Sequence, residues 1–231
     1  MPRTRHANRL VEAPLSQAER TARAAESMID AAIALLNTVG VRGTTLVAIG
    51  QESGYSRGLA THHFGSKAGL FRAVLKHLSA IWSELLRREL ADSTGLAALE
   101  TAVDTHLAHA LRHPEYIRAQ NILWGAALDP SSEFKPNVAA FMRIQRNSVA
   151  AWLRGGQALG EIRQDIDPER IAEQYYGALI GINNQWLVSP DFDLAAAYRD
   201  FKDSMVRLLR APPSRQTTRN TTRISNPEER P

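Results

Sequence analysis

The sequence predicts an all-α chain: a small N-terminal three-helix unit with helix-turn-helix dimensions, then a larger C-terminal helical bundle. Three observations carry this. Apolar residues recur at three- and four-residue spacing almost throughout, and alternating strand-type runs are scarce. Helix-start residues (Ser16, Thr45, Ser56, Ser66, Asp167) stand just ahead of those periodic segments. Apolar residues make up 44% of 231, enough to bury a substantial core.

The elements follow in order. Ser16-Gln-Ala-Glu19 reads as a capping box, in which serine and glutamate side chains satisfy free amides of a first helical turn. Ala25, Met28, Ile29, Ala32, Ile33, Leu36 and Val39 then form one face of a long helix that Gly40 ends. Thr44-Thr45 caps a short helix from Leu46 to about Ser53, and Gly54 can take the left-handed conformation that stops it. Ser56 caps a third helix, Arg57 to about Phe64, and Ser66 a fourth that runs to near Arg88. Helical spacing continues from about Leu96 to Arg112 and after Pro114. It pauses at the loop over residues 129–136 and resumes from Asn137 to about Leu159. Asp167-Pro168 is an N-cap followed by proline at the first helical position, opening a helix to about Val188. A last helix runs near Leu194 to Arg210. Beyond Pro212 apolar residues nearly vanish, as expected of disorder. The expected organisation is a flexible basic arm (1–15), a helix-turn-helix domain (16–80), a second helical domain (81–210) and a disordered tail (211–231).

Composition removes several classes of function. There is no cysteine, so disulfides, thiolate metal sites and cysteine nucleophiles are excluded. No Ser-His-Asp spacing, phosphate loop or dinucleotide fingerprint occurs, so the chain is expected not to be an enzyme and to need no cofactor. The N-terminus lacks the apolar stretch of a secretory signal, and no run approaches 18 consecutive apolar residues, so no membrane association is expected and the location should be cytoplasmic. The positive charge sits at the ends: residues 1–75 hold 9 Lys/Arg against 5 Asp/Glu, whereas residues 76–210 hold 15 against 17. A basic N-terminal unit suits phosphate binding, although a randomly charged surface could show the same excess.

The stretch GQESGYSRGLATHHFGSK, residues 50–67, is the most informative. Two short helices joined by Gly54-Tyr55-Ser56 after one long helix have the dimensions of a DNA-reading helix-turn-helix. Helix starts carrying Thr45, Ser56 and Ser66, with Arg57 and Lys67 beside them, suit phosphate oxygens. Gly58 removes a side chain where backbone would come close to DNA. The whole segment, GTTLVAIGQESGYSRGLATHHFGSKAGL, resembles the DNA-binding segment of the TetR/AcrR family of bacterial transcriptional regulators. Thr44, Thr45, Ile49, Gly54, Ser56, His63, Phe64, Ser66 and Lys67 match its pattern. The resemblance covers about residues 20–80. It implies a DNA-binding N-terminal domain and a C-terminal helical domain for dimerisation and ligand binding. It also implies that His63 donates to a phosphate and His62 faces the groove. Two positions depart from the pattern. The usual tyrosine is Thr61, which shifts weight to His62, and the usual alanine after Ile49 is Gly50, expected to weaken the second helix by up to ~1 kcal/mol.

Other histidines admit a different chemistry. His62 and His63 are helical neighbours about 100° apart and cannot easily share a metal. His106, His109 and His113 fall at i, i+3 and i+7 on one helix face, a better metal geometry, so a metal-dependent helical enzyme is the rival from another class. An exposed or pocket-lining face is the alternative.

In the C-terminal part, Gly177, Gly181 and Asn184 share a face of the helix from Pro168. Small residues at that spacing allow close approach of a second subunit's helix, or packing inside one chain. The opposite face carries Tyr176, Leu179, Asn183 and Trp186; the preceding helix carries Phe141, Gln145, Ser148 and Trp152. Aromatics interspersed with Gln, Ser and Asn fit a mainly apolar pocket, which Trp124 could join, or an ordinary core. The expected function is sequence-specific transcriptional regulation: a dimer on a palindromic double-stranded DNA operator, relieved by a small apolar or amphipathic effector. A regulator without effector is the alternative.

Overall fold

In the computed structural model, which describes residues 16–212, nine α-helices follow one another: α1 (Gln17–Gly43), α2 (Leu46–Ser53), α3 (Arg57–Phe64), α4 (Lys67–Leu90), α5 (Gly95–Arg112), α6 (Pro114–Ala126), α7 (Lys135–Ala158), α8 (Pro168–Val188) and α9 (Leu194–Leu209). Among the described residues the sole β-type pairing is an isolated bridge between Ile162 and Arg210. The expected basic arm lies outside the described residues, and so does the expected tail from residue 213. Ala211 is described, and its amide donates to the Glu161 carbonyl at 2.8 Å.

Local signals set most helix ends. The Ser16 hydroxyl accepts from the Glu19 amide at 3.2 Å while Glu19 Oε2 accepts from the Ser16 amide at 2.7 Å, completing the capping box. Asp167 Oδ1 accepts from the Glu169 and Arg170 amides, opening α8 with Pro168 in its first turn. α7 begins at Lys135, two residues before the expected Asn137, because Pro136 tolerates the first turn of a helix as well as it does a loop. The expected α1 face holds through Leu36, but Val39 is 53% exposed. Gly40, at φ +67°, kinks the chain there, and a final turn continues to Gly43.

Two apolar clusters organise the molecule. The first joins α1, α2, α3 and α4 around Met28, Leu36, Ile49 and Phe71, and continues into α6 and α7 through Leu123, Trp124 and Val138. The second lies among α5, α7, α8 and α9 around Val103, Leu153, Tyr175 and Tyr198. α4 runs unbroken across residue 80 and contributes to both the N-terminal unit and the bundle. One 18-residue window of α1 reaches a mean hydropathy of 1.3, which by composition could span a membrane. Its apolar side is instead core, with Met28 and Ala32 wholly buried.

Candidate functional site

The helix-turn-helix is built by local hydrogen bonds. Thr45 Oγ1 accepts from the Ala48 amide at 3.1 Å, and Ser56 Oγ from the Leu59 amide at 3.1 Å. A hydroxyl that accepts from a helix amide keeps its own proton, so both can still donate to a phosphate oxygen. Gly54 takes the left-handed conformation, φ +76°, that ends α2. Thr45, Ser56, Arg57, Gly58, Thr61 and His62 are exposed, and His63 is half-buried with its ring 6.0 Å from those of His62 and Phe64. Phe64 packs against the N-terminal core.

Lys67 is differently engaged from the free cation that the sequence suggests. Its ammonium donates to the Arg42 carbonyl at 3.1 Å, sits 5.7 Å from the Phe71 ring centre, and has its pKa lowered by partial burial. It therefore ties the start of α4 to the end of α1, where a cation is favoured by the helix dipole.

Gly50 also differs from expectation. A Cβ there would come within 2.9 Å of the Arg57 nitrogen and the Tyr55 carbonyl oxygen. The turn packs directly on α2 at this point, with the Tyr55 amide donating to the Gly50 carbonyl at 2.9 Å. Glycine is thus required by close approach, and the expected weakening relative to alanine is outweighed by contact with backbone that an added methyl would have to displace. Gly58 is the opposite case: its Cβ would meet only the Ser56 hydroxyl, at 3.7 Å. Nothing inside the chain demands glycine at that exposed helical position.

In the bundle, Trp124, Phe141, Gln145, Trp152, Tyr176 and Asn183 are brought together on the wall of one cavity. The cavity is narrow, with about 50 Å³ of open space inside it. The Trp124 ring lies 6.0 Å from that of Phe141 and 6.1 Å from that of Tyr176. Sequence reading missed Leu78, Trp82 and Leu86, which line the same cavity from α4. Their i, i+4, i+8 spacing beyond the N-terminal core was the available signal.

The histidines of α5 serve this cavity. His106 and His109 line it. The Tyr198 hydroxyl donates to Asn183 Oδ1 at 3.0 Å, and His106 Nδ1 lies 2.5 Å from the same hydroxyl. A phenol has one proton, so this network assigns the Nδ1–H tautomer to His106. Burial, with His109 nearby, pushes the His106 pKa down to about 4. Burial also lowers that of His109, assisted by His113 and Arg112 and opposed by Glu115. Among the described residues no three ligating side chains are set to hold a metal ion. The rival three-histidine geometry is not formed: His106 turns to Tyr198, while the His113 ring stacks on Tyr116 and its Nδ1 faces Glu115.

On α8, Gly177 and Asn184 are exposed and Gly181 is half-buried. A Cβ on either glycine would meet no atom within 4 Å, so packing within one chain does not account for them.

Comparison with known proteins agrees with this geometry. The HTH-type transcriptional regulator BetI of Burkholderia cenocepacia is 38% identical over 65 residues, 28% of this chain and 34% of that protein. The chain thus aligns with about a third of the length of these curated relatives. BetI of Burkholderia thailandensis is 26% identical over 191 residues, covering 80% of this chain and 92% of its own. A transcriptional regulator from Saccharomonospora viridis, solved in complex with choline, shares the fold with a TM-score of 0.73 at 16% identity, over 83% of this chain and 100% of that one. Residues 28–74, the helix-turn-helix with its bracing helix, match the family described as bacterial regulatory proteins, tetR family, so this segment is the part of the chain that carries the family's pattern.

Proposed function

We propose that this regulator binds a palindromic DNA operator as a homodimer, represses from it, and is released by a small, mainly apolar or amphipathic effector. The carrying observation is the first apolar cluster, which runs without a break from Met28 and Ile49 in the helix-turn-helix to Trp124 at the cavity wall. A molecule that spreads the cavity must displace groups packed against the DNA-reading unit. Two recognition helices have to meet successive major grooves about 34 Å apart. An effector that favours another spacing releases DNA to the extent of its differential affinity. Thr45, Ser56, Lys67 and His63 would meet phosphates, and Arg57, Thr61 and His62 the groove, with Gly58 at the closest backbone approach. The open Gly177/Gly181/Asn184 face would receive the second subunit. The polar side chains set among the aromatic walls, Gln145 and Asn183 with them, favour this reading over a regulator without effector, whose core would be apolar throughout.

Selection of bound fragments from genomic DNA, followed by titration with small apolar molecules, tests it. An enriched inverted repeat whose complex dissociates with a cavity-binding compound is expected; bound compounds that leave the complex intact would remove the effector.

A further inference from the structure

No Asp, Glu, Lys or Arg lines the cavity. Its polar groups are neutral, and two contacts satisfy some of them. Trp82 Nε1 donates to Gln145 Oε1 at 3.0 Å, and Asn183 Oδ1 accepts from Tyr198. Among the lining side-chain nitrogens and oxygens that solvent does not reach, one is left without a partner. Trp124 is 8% exposed, and its indole N–H has no hydrogen-bond partner among the described residues. A buried donor without a partner costs free energy on the scale of a lost hydrogen bond, and native folds seldom keep one without a reason. Gln145 is also buried, and its amide nitrogen makes no hydrogen bond among the described residues, which leaves a second donor.

Resting on the effector reading above, we propose that the ligand of this cavity is an uncharged, largely aromatic molecule whose carbonyl or ether oxygen accepts from Trp124 Nε1–H, with the Gln145 amide as second donor. An anion would find no cation on the wall, since His106 and His109 are held neutral by burial. A cation would find no carboxylate and would meet the positive end of the Trp124 N–H, with only ring faces to attract it. The space is narrow, about 50 Å³, so an occupant has to be flat and to part the walls. His109 belongs both to this wall and to an open cleft between α4 and α5.

Four naphthalenes of similar shape separate the possibilities by calorimetry on the full chain: 2-acetonaphthone (neutral acceptor), 2-isopropenylnaphthalene (no acceptor), 2-naphthoate (anion) and trimethyl(2-naphthyl)ammonium (cation). The ketone is expected to bind about tenfold tighter than the hydrocarbon, with both ions no better than the hydrocarbon. Trp124→Phe should abolish that preference while still binding the hydrocarbon. As a readout that needs no variant of the donor, the Trp124 indole N–H resonance of ¹⁵N-labelled parent protein should move downfield with the ketone and not with the hydrocarbon. Equal affinity for ketone and hydrocarbon, tightest binding of either ion, no binding by any of the four, or an unmoved Trp124 resonance would overturn the proposal. The effector reading fails separately: a ketone that binds with the expected selectivity yet leaves DNA affinity unchanged sinks relief by effector and keeps the ligand class. DNA release by an ion alone does the reverse.

Discussion

The Tyr198 hydroxyl on α9 donates to Asn183 Oδ1 on α8 at 3.0 Å, and His106 Nδ1 on α5 reaches the same oxygen. Three helices are thereby joined at the cavity wall through one buried phenol. Tyr198→Phe keeps the ring and leaves the His106 N–H and the Asn183 carbonyl unpaired. A loss of about 1–3 kcal/mol is expected in chemical denaturation, with little change in the slope against denaturant. An unchanged midpoint would mean that water or a rearranged Asn183 takes up both partners.

Stability should fall in mild acid. The folded His106 pKa is about 4, against about 6.5 in an unfolded chain. Between those values the unfolded chain takes up a proton that the folded chain refuses, so stability is full above about pH 6.5 and is lost as pH falls toward 4. His109, also lowered, acts in the same direction. Glu84, held near 2 by hydrogen bonds from Arg87 and Arg88, titrates mostly below this window. Denaturation between pH 7 and pH 5 is expected to show a loss of about 1–2 kcal/mol, which His106→Asn flattens. A parent curve with no slope there would show that His106 reaches solvent.

Two glycines one helix apart should respond in opposite ways to alanine. Gly50→Ala gains helix propensity but places a methyl against the Arg57 and Tyr55 backbone. A net loss of about 1–2 kcal/mol is expected. Gly58→Ala meets open space, so a thermal scan should show a gain of up to about 1 kcal/mol while DNA affinity drops. A Gly58→Ala protein that binds DNA like the parent would place the nucleic acid elsewhere.

Gly181→Leu tests the second subunit. The position has room within the chain, so the variant monomer should keep its helical content while sedimentation shows the dimer weakened by about 1–3 kcal/mol. A parent that sediments as a monomer at micromolar concentration would remove the two-half-site arrangement.

Helix order and the recognition stretch were legible because caps and apolar periodicity are local. Ser16, Thr45, Ser56 and Asp167 each bond amides two or three residues ahead, so their spacing is already in the chain. What sequence spacing misjudged depends on residues far apart. Gly50 looked like a weak helix residue because the turn that packs on it is formed five residues later, and Lys67 looked free because its acceptor is the Arg42 carbonyl, 25 residues away. His106 had metal spacing on its own helix, but its partner, Tyr198, comes from α9, 92 residues away. Trp82 joined the cavity through a stripe that continues α4 past its role in the N-terminal core.

Salt titration of DNA binding, on fragments selected by the parent protein, bears most directly on the regulatory function. Arg57 is exposed on α3 and Lys67 is tied to Arg42, so the two alanine variants should differ. Arg57→Ala is expected to weaken binding, to relax preference at one base position, and to leave thermal stability unchanged. Lys67→Ala should weaken binding uniformly across sequences, flatten the salt slope by about one unit, and lower the melting temperature by a few degrees. Parent-like affinity of both variants at every salt concentration, or no sequence enriched from genomic DNA, would contradict sequence-specific DNA recognition by this face.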